Sequence, residues 1–272
     1  MHFWGVRGSI PTPGSETARY GGNTSCISLS LDETHTLVLD AGSGLRVLGQ
    51  QTFAKPHVFY FLLSHVHWDH IQGFPFFRPI MDPDVKIVFL NDEGASVSDA
   101  VLGQMDGVRF PITRNELKAN IVCGSQDYQS AFDLFGVTCT EVNMLHEGAC
   151  FGFRVTRDDG DWVYMTDNEL PADVQSDEMH RLVDFASSAD VLIHDAQYTD
   201  AEMQEKKGWG HSSFEQACSF AIKANVRQLV LFHHDPSRSD EQLEAMLTQA
   251  NEWVEHQDAE LDVILAREGL AV

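Results

Sequence analysis

Basic side chains are scarce in this sequence: 18 Lys and Arg stand against 41 Asp and Glu, a formal charge of -23 over 272 residues. Such a surface repels a polyanion unless its few cations gather on one face, so a long nucleic acid is disfavoured as substrate. Long apolar runs are missing too. No stretch approaches the roughly 20 apolar residues that cross a bilayer. No opening segment joins a basic start, an apolar run and a small-residue cleavage site, so a cytoplasmic protein without a membrane partner is expected. Cysteine is sparse: Cys26, Cys123, Cys139, Cys150 and Cys218 form an odd set with no CxxC pair. That fits neither a disulfide framework nor a thiolate zinc site, and buried, reduced thiols are the expectation. No Pro/Ser-rich linker, repeat or low-complexity tract divides the chain. With 43% hydrophobic residues it can close a large core, and one domain over residues 1–272 is expected.

What is present is an alternation of short apolar strands with segments of helical period. Residues 26–31 and 36–40 read as a hairpin, 43–50 as a short helix, and 58–63 as a strand covered on both faces. A further strand is expected at 85–90 and a helix at 97–105, while 110–133 gives little signal. The turn Arg157-Asp158-Asp159-Gly160-Asp161 separates hairpin strands at 151–156 and 162–166. Helices at 176–188, 213–224 and 240–255 then lead into strands at 191–194, 229–232 and 261–265. Hairpins followed by strand and helix alternation, twice over, suit an α/β fold of two mixed β-sheets packed face to face with helices outside.

The densest chemistry lies in Ser64-His65-Val66-His67-Trp68-Asp69-His70, four metal-ligand side chains directly after a buried strand. Side chains two apart in extended backbone face the same way, so His65 and His67 can grip one ion while Asp69 and His70 reach another. A polar loop capping the next helix has no use for so many imidazoles. The motif His-X-His-X-Asp-His resembles the hallmark of the metallo-β-lactamase superfamily at every fixed position, and the rest of that pattern follows in order from about Gly5 to Glu268. The resemblance implies a four-layer αββα sandwich and a pair of metal ions. It assigns His65, His67 and His146 to one ion, Asp69, His70 and His233 to the other, and Asp167 to both. His233 is preferred to its neighbour His234, and Asp40 supports the metal loop from behind. Such ligands suit zinc, with manganese or iron(II) also admitted. Two ions about 3.5 to 4 Å apart activate water near neutral pH and clamp the entering and leaving oxygens.

The later segments Ile193-His194-Asp195-Ala196-Gln197-Tyr198 and Gly210-His211-Ser212-Ser213 resemble the ribonuclease Z and phosphodiesterase branch. There an acidic residue and a histidine pair beside the metals, which implies Asp195 and His211 here, His211 protonating the departing alkoxide. The catalytic set is then Asp69, Asp195 and His211. The alternative for His211 is the cap region of the next helix, with Ser212 supplying the hydroxyl. Arg7, Ser9, Asn23 and Thr24 sit in a Gly-rich opening that also resembles this branch; turn-building is favoured over phosphate contact. Trp68, Phe74, Phe76 and Phe77 offer a stacking wall for a base, although core packing is the commoner role at that spacing, and Arg78 offers a charge.

Between Gly73 and Leu145 there is no long basic, Gly/Pro-rich arm of the kind that grips transfer RNA. The leading expectation is therefore a hydrolase of a small phosphodiester such as a 3',5'-cyclic nucleotide, with a homodimer admitted. The alternatives are a transfer-RNA 3'-processing nuclease, a lactamase or thiolesterase, and a non-catalytic metal-binding module.

Overall fold

The computed structural model describes residues 1–90, 95–123 and 128–272, and the chain divides into two compact units. The first takes residues 1–11, 21–135 and 267–272, the second 12–20 and 136–266. The first carries strands β1 (His2–Gly5), β2 (Cys26–Ser30), β3 (His35–Leu39), β4 (His57–Leu62), β5 (Val85–Phe89) and β6 (Asn120–Cys123) in one sheet in that order. β1, β2 and β3 pair antiparallel, and β3 to β6 run parallel. Its helices are α1 (Leu45–Leu48), α2 (Trp68–Ile71), α3 (Ala95–Leu102) and α4 (Tyr128–Phe132). The core under this sheet is aromatic: Phe59 meets Phe77 edge to face at 4.9 Å, and Phe61 meets Phe74 at 6.0 Å.

The second unit repeats the plan. Strands β7 (Thr138–Asn143), β8 (Phe151–Arg157), β9 (Gly160–Met165), β10 (Val191–Asp195), β11 (Gln228–Phe232) and β12 (Asp262–Leu265) lie in sequence order across one sheet. β7 to β9 form an antiparallel meander and β9 to β12 run parallel. Helices α5 (Asp177–Ala186), α6 (Asp200–Lys206), α7 (Phe214–Lys223) and α8 (Asp240–His256) complete it. The buried side chains Leu192, Ala217, Ala221, Leu229, Leu231 and Met246 are part of one core. The parallel stretch of this sheet contains a wholly buried strand, since all five positions of β10 are buried, as expected of a parallel strand covered on both faces.

Several expected elements shift. The helix at 43–50 is a single turn, because Gly44 and Gly49 bound it. The helix expected at 97–105 is α3, ending at Leu102. The uninformative stretch 110–133 holds β6 and α4, its residues 124–127 lying outside the described ones. Among the five cysteines, Cys123 is exposed on β6, against the expectation of uniform burial; the other four are buried, and burial pushes Cys139 and Cys218 up to about 12. None is in a disulfide. Among the described residues, no helix is long and apolar enough to cross a membrane.

Candidate metal centre

In parallel sheets, ligands gather at the carboxyl ends of strands, and both units place their metal-type side chains there. In the first unit Asp40 follows β3 and Ser64 to His70 follow β4. His67 is extended and N-caps α2, so Asp69 and His70 fall on the first turn of that helix. The rings of His65 and His67 lie 4.4 Å apart between centroids, and those of His65 and His70 4.3 Å. Asp69 Oδ2 approaches His70 Nε2 at 3.3 Å. Asp40 locks this loop: its Oδ1 accepts the Ser64 N–H at 2.7 Å, and its Oδ2 accepts the Ser64 hydroxyl and His70 Nδ1–H, both at 2.8 Å. Gly73 closes the far side, where a Cβ would stand 1.9 Å from the Gly42 carbonyl oxygen.

In the second unit His146 follows β7, Asp167 follows β9, Asp195 ends β10 and His233 follows β11, all at one end of the sheet because β7 runs in the same sense as β9. Asp167 divides its two oxygens: Oδ1 lies 3.8 Å from His146 Nε2, and Oδ2 lies 3.3 Å from His233 Nε2. Its two oxygens thus face two different imidazoles. Donor atoms of Asp167, Asp195, His211 and His233 all lie within 4.8 Å of one another. His234 takes no part in this group; its Nε2–H donates to the Ala266 carbonyl at 2.8 Å.

Four of the imidazoles share one orientation. Nδ1–H donates to Ser64 Oγ at 3.1 Å in His65, to Asp40 in His70, to the Gly210 carbonyl at 3.0 Å in His146, and to Gln197 Oε1 at 3.0 Å in His233. With Nδ1 as donor, Nε2 carries the lone pair, the arrangement in which metal-ligating histidines are held. Neutral imidazoles with carboxylates among them fit divalent cations of the zinc type. Backbone strain accompanies the set: Asp40, Asp167 and His233 have φ of 59°, 51° and 60°. Left-handed conformations of non-glycine residues persist where surrounding contacts over-determine them, as at functional sites.

His211 is held differently. Its Nδ1–H donates to Asp195 Oδ2 at 2.6 Å, with Asp195 fully buried and His211 8% exposed. The other carboxylate oxygen accepts backbone N–H groups of Gln197 at 3.1 Å and Ser212 at 3.2 Å. Asp195 is thereby fixed, and it orients the His211 ring. His194, one residue before, is a different case: it is enclosed, burial lowers its pKa, and Asn168 and the Asp195 carbonyl occupy its two nitrogens.

Sequence reasoning missed the groups that aim these side chains. Gln197 orients His233, and the Gly210 carbonyl orients His146. Glu169 secures that carbonyl by accepting the N–H groups of Gly208 at 2.8 Å and Gly210 at 2.9 Å. Glycine is required at 210, where φ is +83° and a Cβ would stand 2.0 Å from His146 Nδ1. The helix cap is Ser213 rather than Ser212, since Ser213 Oγ accepts the Gln216 N–H and Ser212 Oγ donates to the Asn168 carbonyl. Phe74 and Phe77 are fully buried and belong to the core, leaving Trp68 and Phe76 exposed. Arg7 is buried with Nε–H on the Gly21 carbonyl, and Asn23 binds Glu268, so both build turns. Ser9 contributes its backbone N–H to Asp69 Oδ2 at 2.7 Å. Arg78 is exposed and lines a separate cavity with Lys55 and Asp82.

Comparison with known proteins accords with this architecture. The family described as "Beta-lactamase superfamily domain" matches residues 35–234. Ribonuclease Z of Picrophilus torridus is 26% identical, over 91% of this chain and 89% of that one. Among solved structures, a diphosphatase from the PhnP family superposes with a TM-score of 0.66 at 17% identity, covering 99% of this chain and 95% of that one. Yeast PDE1 superposes with a TM-score of 0.65 at 14% identity, covering 97% of each chain. The chain belongs to the metallo-β-lactamase superfamily of metal-dependent hydrolases, on the branch that holds ribonuclease Z and the phosphodiesterase-like enzymes.

Proposed function

We propose that the protein is a phosphodiesterase acting on a compact substrate, a 3',5'-cyclic nucleotide first among them, and that both units serve as one hydrolase domain in doing so. His65, His67 and His146 would hold one divalent ion, Asp69, His70 and His233 the other, with Asp167 shared, and zinc is the metal this donor set favours. Such a pair supplies a nucleophile at neutral pH and neutralises charge on the phosphoryl oxygens.

The observation that carries the reading is the buried Asp195–His211 pair at 2.6 Å. A phosphodiester leaving as an alkoxide needs a proton, and a buried carboxylate–imidazole pair is suited to supply it. With Nδ1–H committed to Asp195, His211 presents Nε2 as the atom that delivers the proton. Asp195 compensates the charge before delivery and keeps the ring aimed after it.

A second reading, transfer-RNA 3' processing, is favoured by the ribonuclease Z of Picrophilus torridus, to which this chain is similar over nearly its whole length. Against it stand the charge of -23 and the sparse cations between Gly73 and Leu145, which are Arg78, Lys86, Arg109, Arg114 and Lys118. The two separate when metal-counted protein is given cyclic AMP, bis(p-nitrophenyl) phosphate and a precursor transfer RNA. Turnover of the first two supports the small-substrate reading, and cleavage of the RNA alone overturns it.

A further inference from the structure

Trp68 stands between His67 and Asp69 in the metal loop, yet it is 70% exposed. It lines a cavity of about 260 Å³ within the first unit, together with Gln72, Phe76, Gln104, Arg109 and Phe110. That volume lies just below the roughly 300–1,000 Å³ of pockets for drug-sized ligands. One ring system fits it, and a run of nucleotides does not.

The walls are aromatic and the polar groups are specific. Phe76 and Phe110 meet edge to face at 5.2 Å and 80°, and Phe76 is 58% exposed, so the side chains give flat apolar faces rather than a filled core. The Gln104 amide nitrogen donates to the carbonyls of Ile71 and Val101, both at 3.0 Å. The Gln72 amide nitrogen donates to Thr24 Oγ1 at 3.2 Å. The fold thus engages both N–H groups of Gln104, leaving its oxygen to be offered as an acceptor, while Gln72 keeps one N–H beside its oxygen. Arg109 has its Nε on Asp106 Oδ2 at 2.9 Å, which steadies a guanidinium plane for stacking.

We propose that this cavity seats the nucleobase of the substrate, and that it selects a base carrying an exocyclic amino group, adenine first. Aromatic faces stack on any base. The Gln104 amide oxygen, an acceptor only, pairs with an exocyclic amino N–H and opposes the lone pairs of a ring carbonyl in the same place, which is the basis of discrimination. The inference rests on the phosphodiesterase reading, and what ties the cavity to that reaction is that Trp68 stands in the chain between His67 and Asp69.

The test is calorimetric binding of adenosine 5'-monophosphate, inosine 5'-monophosphate and ribose 5-phosphate to the zinc-loaded protein. The adenosine nucleotide should bind about tenfold more tightly than ribose 5-phosphate, the scale of one base–aromatic stack, and more tightly than the inosine nucleotide. Phe110→Ala and Gln104→Ala should each shrink the preference for the adenosine nucleotide over ribose 5-phosphate. Circular dichroism checks that each variant is folded, and the two side chains belong to different segments, so one stands in for the other. Equal binding of adenosine 5'-monophosphate and ribose 5-phosphate, or a preference intact in both variants, would overturn the assignment. Turnover of bis(p-nitrophenyl) phosphate, which has no nucleobase, is measured on the same preparation. Turnover without base preference removes this cavity alone, whereas base preference without turnover of any phosphodiester removes the reaction and leaves the cavity's ligand class.

Discussion

A hydrogen bond of 2.6 Å between two buried side chains fixes the His211 ring on Asp195, and the role proposed for it is proton delivery. In that role, His211→Ala should retain both metals and slow a cyclic nucleotide roughly 10²–10⁴-fold, the usual worth of a general acid. Bis(p-nitrophenyl) phosphate, whose leaving group needs little protonation, should lose far less. Equal losses on both substrates would count against the role. Gly210 tests the aim of a ligand rather than its identity. Gly210→Ala puts a methyl group 2.0 Å from His146 Nδ1 at a φ of +83°, so His146 must move. Titration with Zn²⁺ should reveal one weakened site, by tenfold to a hundredfold if the loss matches that of other groups that orient metal ligands.

Among the elements, what was legible in the sequence was whatever repeats or crowds. Buried strands such as β4 and β10 read as apolar runs, and the histidine loop declared itself by density. Edge strands escaped: β7 alternates exposed and buried positions with Thr138, Thr140 and Glu141 outward, and β6 has no buried position to mark it. The aiming groups also escaped, since a Gln, a Glu or a glycine carbonyl carries no motif until the chain returns it to a histidine dozens of positions away. Helix caps were read less well: the hydroxyl named for α7 was Ser212, one residue before the actual cap Ser213. Ser239 accepts the Gln242 N–H at 3.2 Å and Gln242 returns the bond at 2.8 Å. Ser239→Ala should therefore lower unfolding free energy by about 1 kcal/mol, read as a shifted denaturant midpoint with an unchanged m-value.

For the whole molecule, the account makes the metals part of stability as well as chemistry. Carboxylates and imidazoles drawn together at strand ends repel or desolvate one another until cations bind, so ligation favours the folded state by mass action. Treatment with a chelator should lower the melting temperature by roughly 5–10 °C, the shift for losing a ligand present at about a hundredfold over its Kd. Restored Zn²⁺ should reverse it, and an indifferent melting curve would argue that the donors are not a metal site. The decisive measurement is anomalous scattering from a crystal of the protein grown with ample zinc. Two peaks are predicted, one on His65, His67 and His146, one on Asp69, His70 and His233, with Asp167 reaching both. A single peak, peaks elsewhere, or none on these seven side chains would contradict the account.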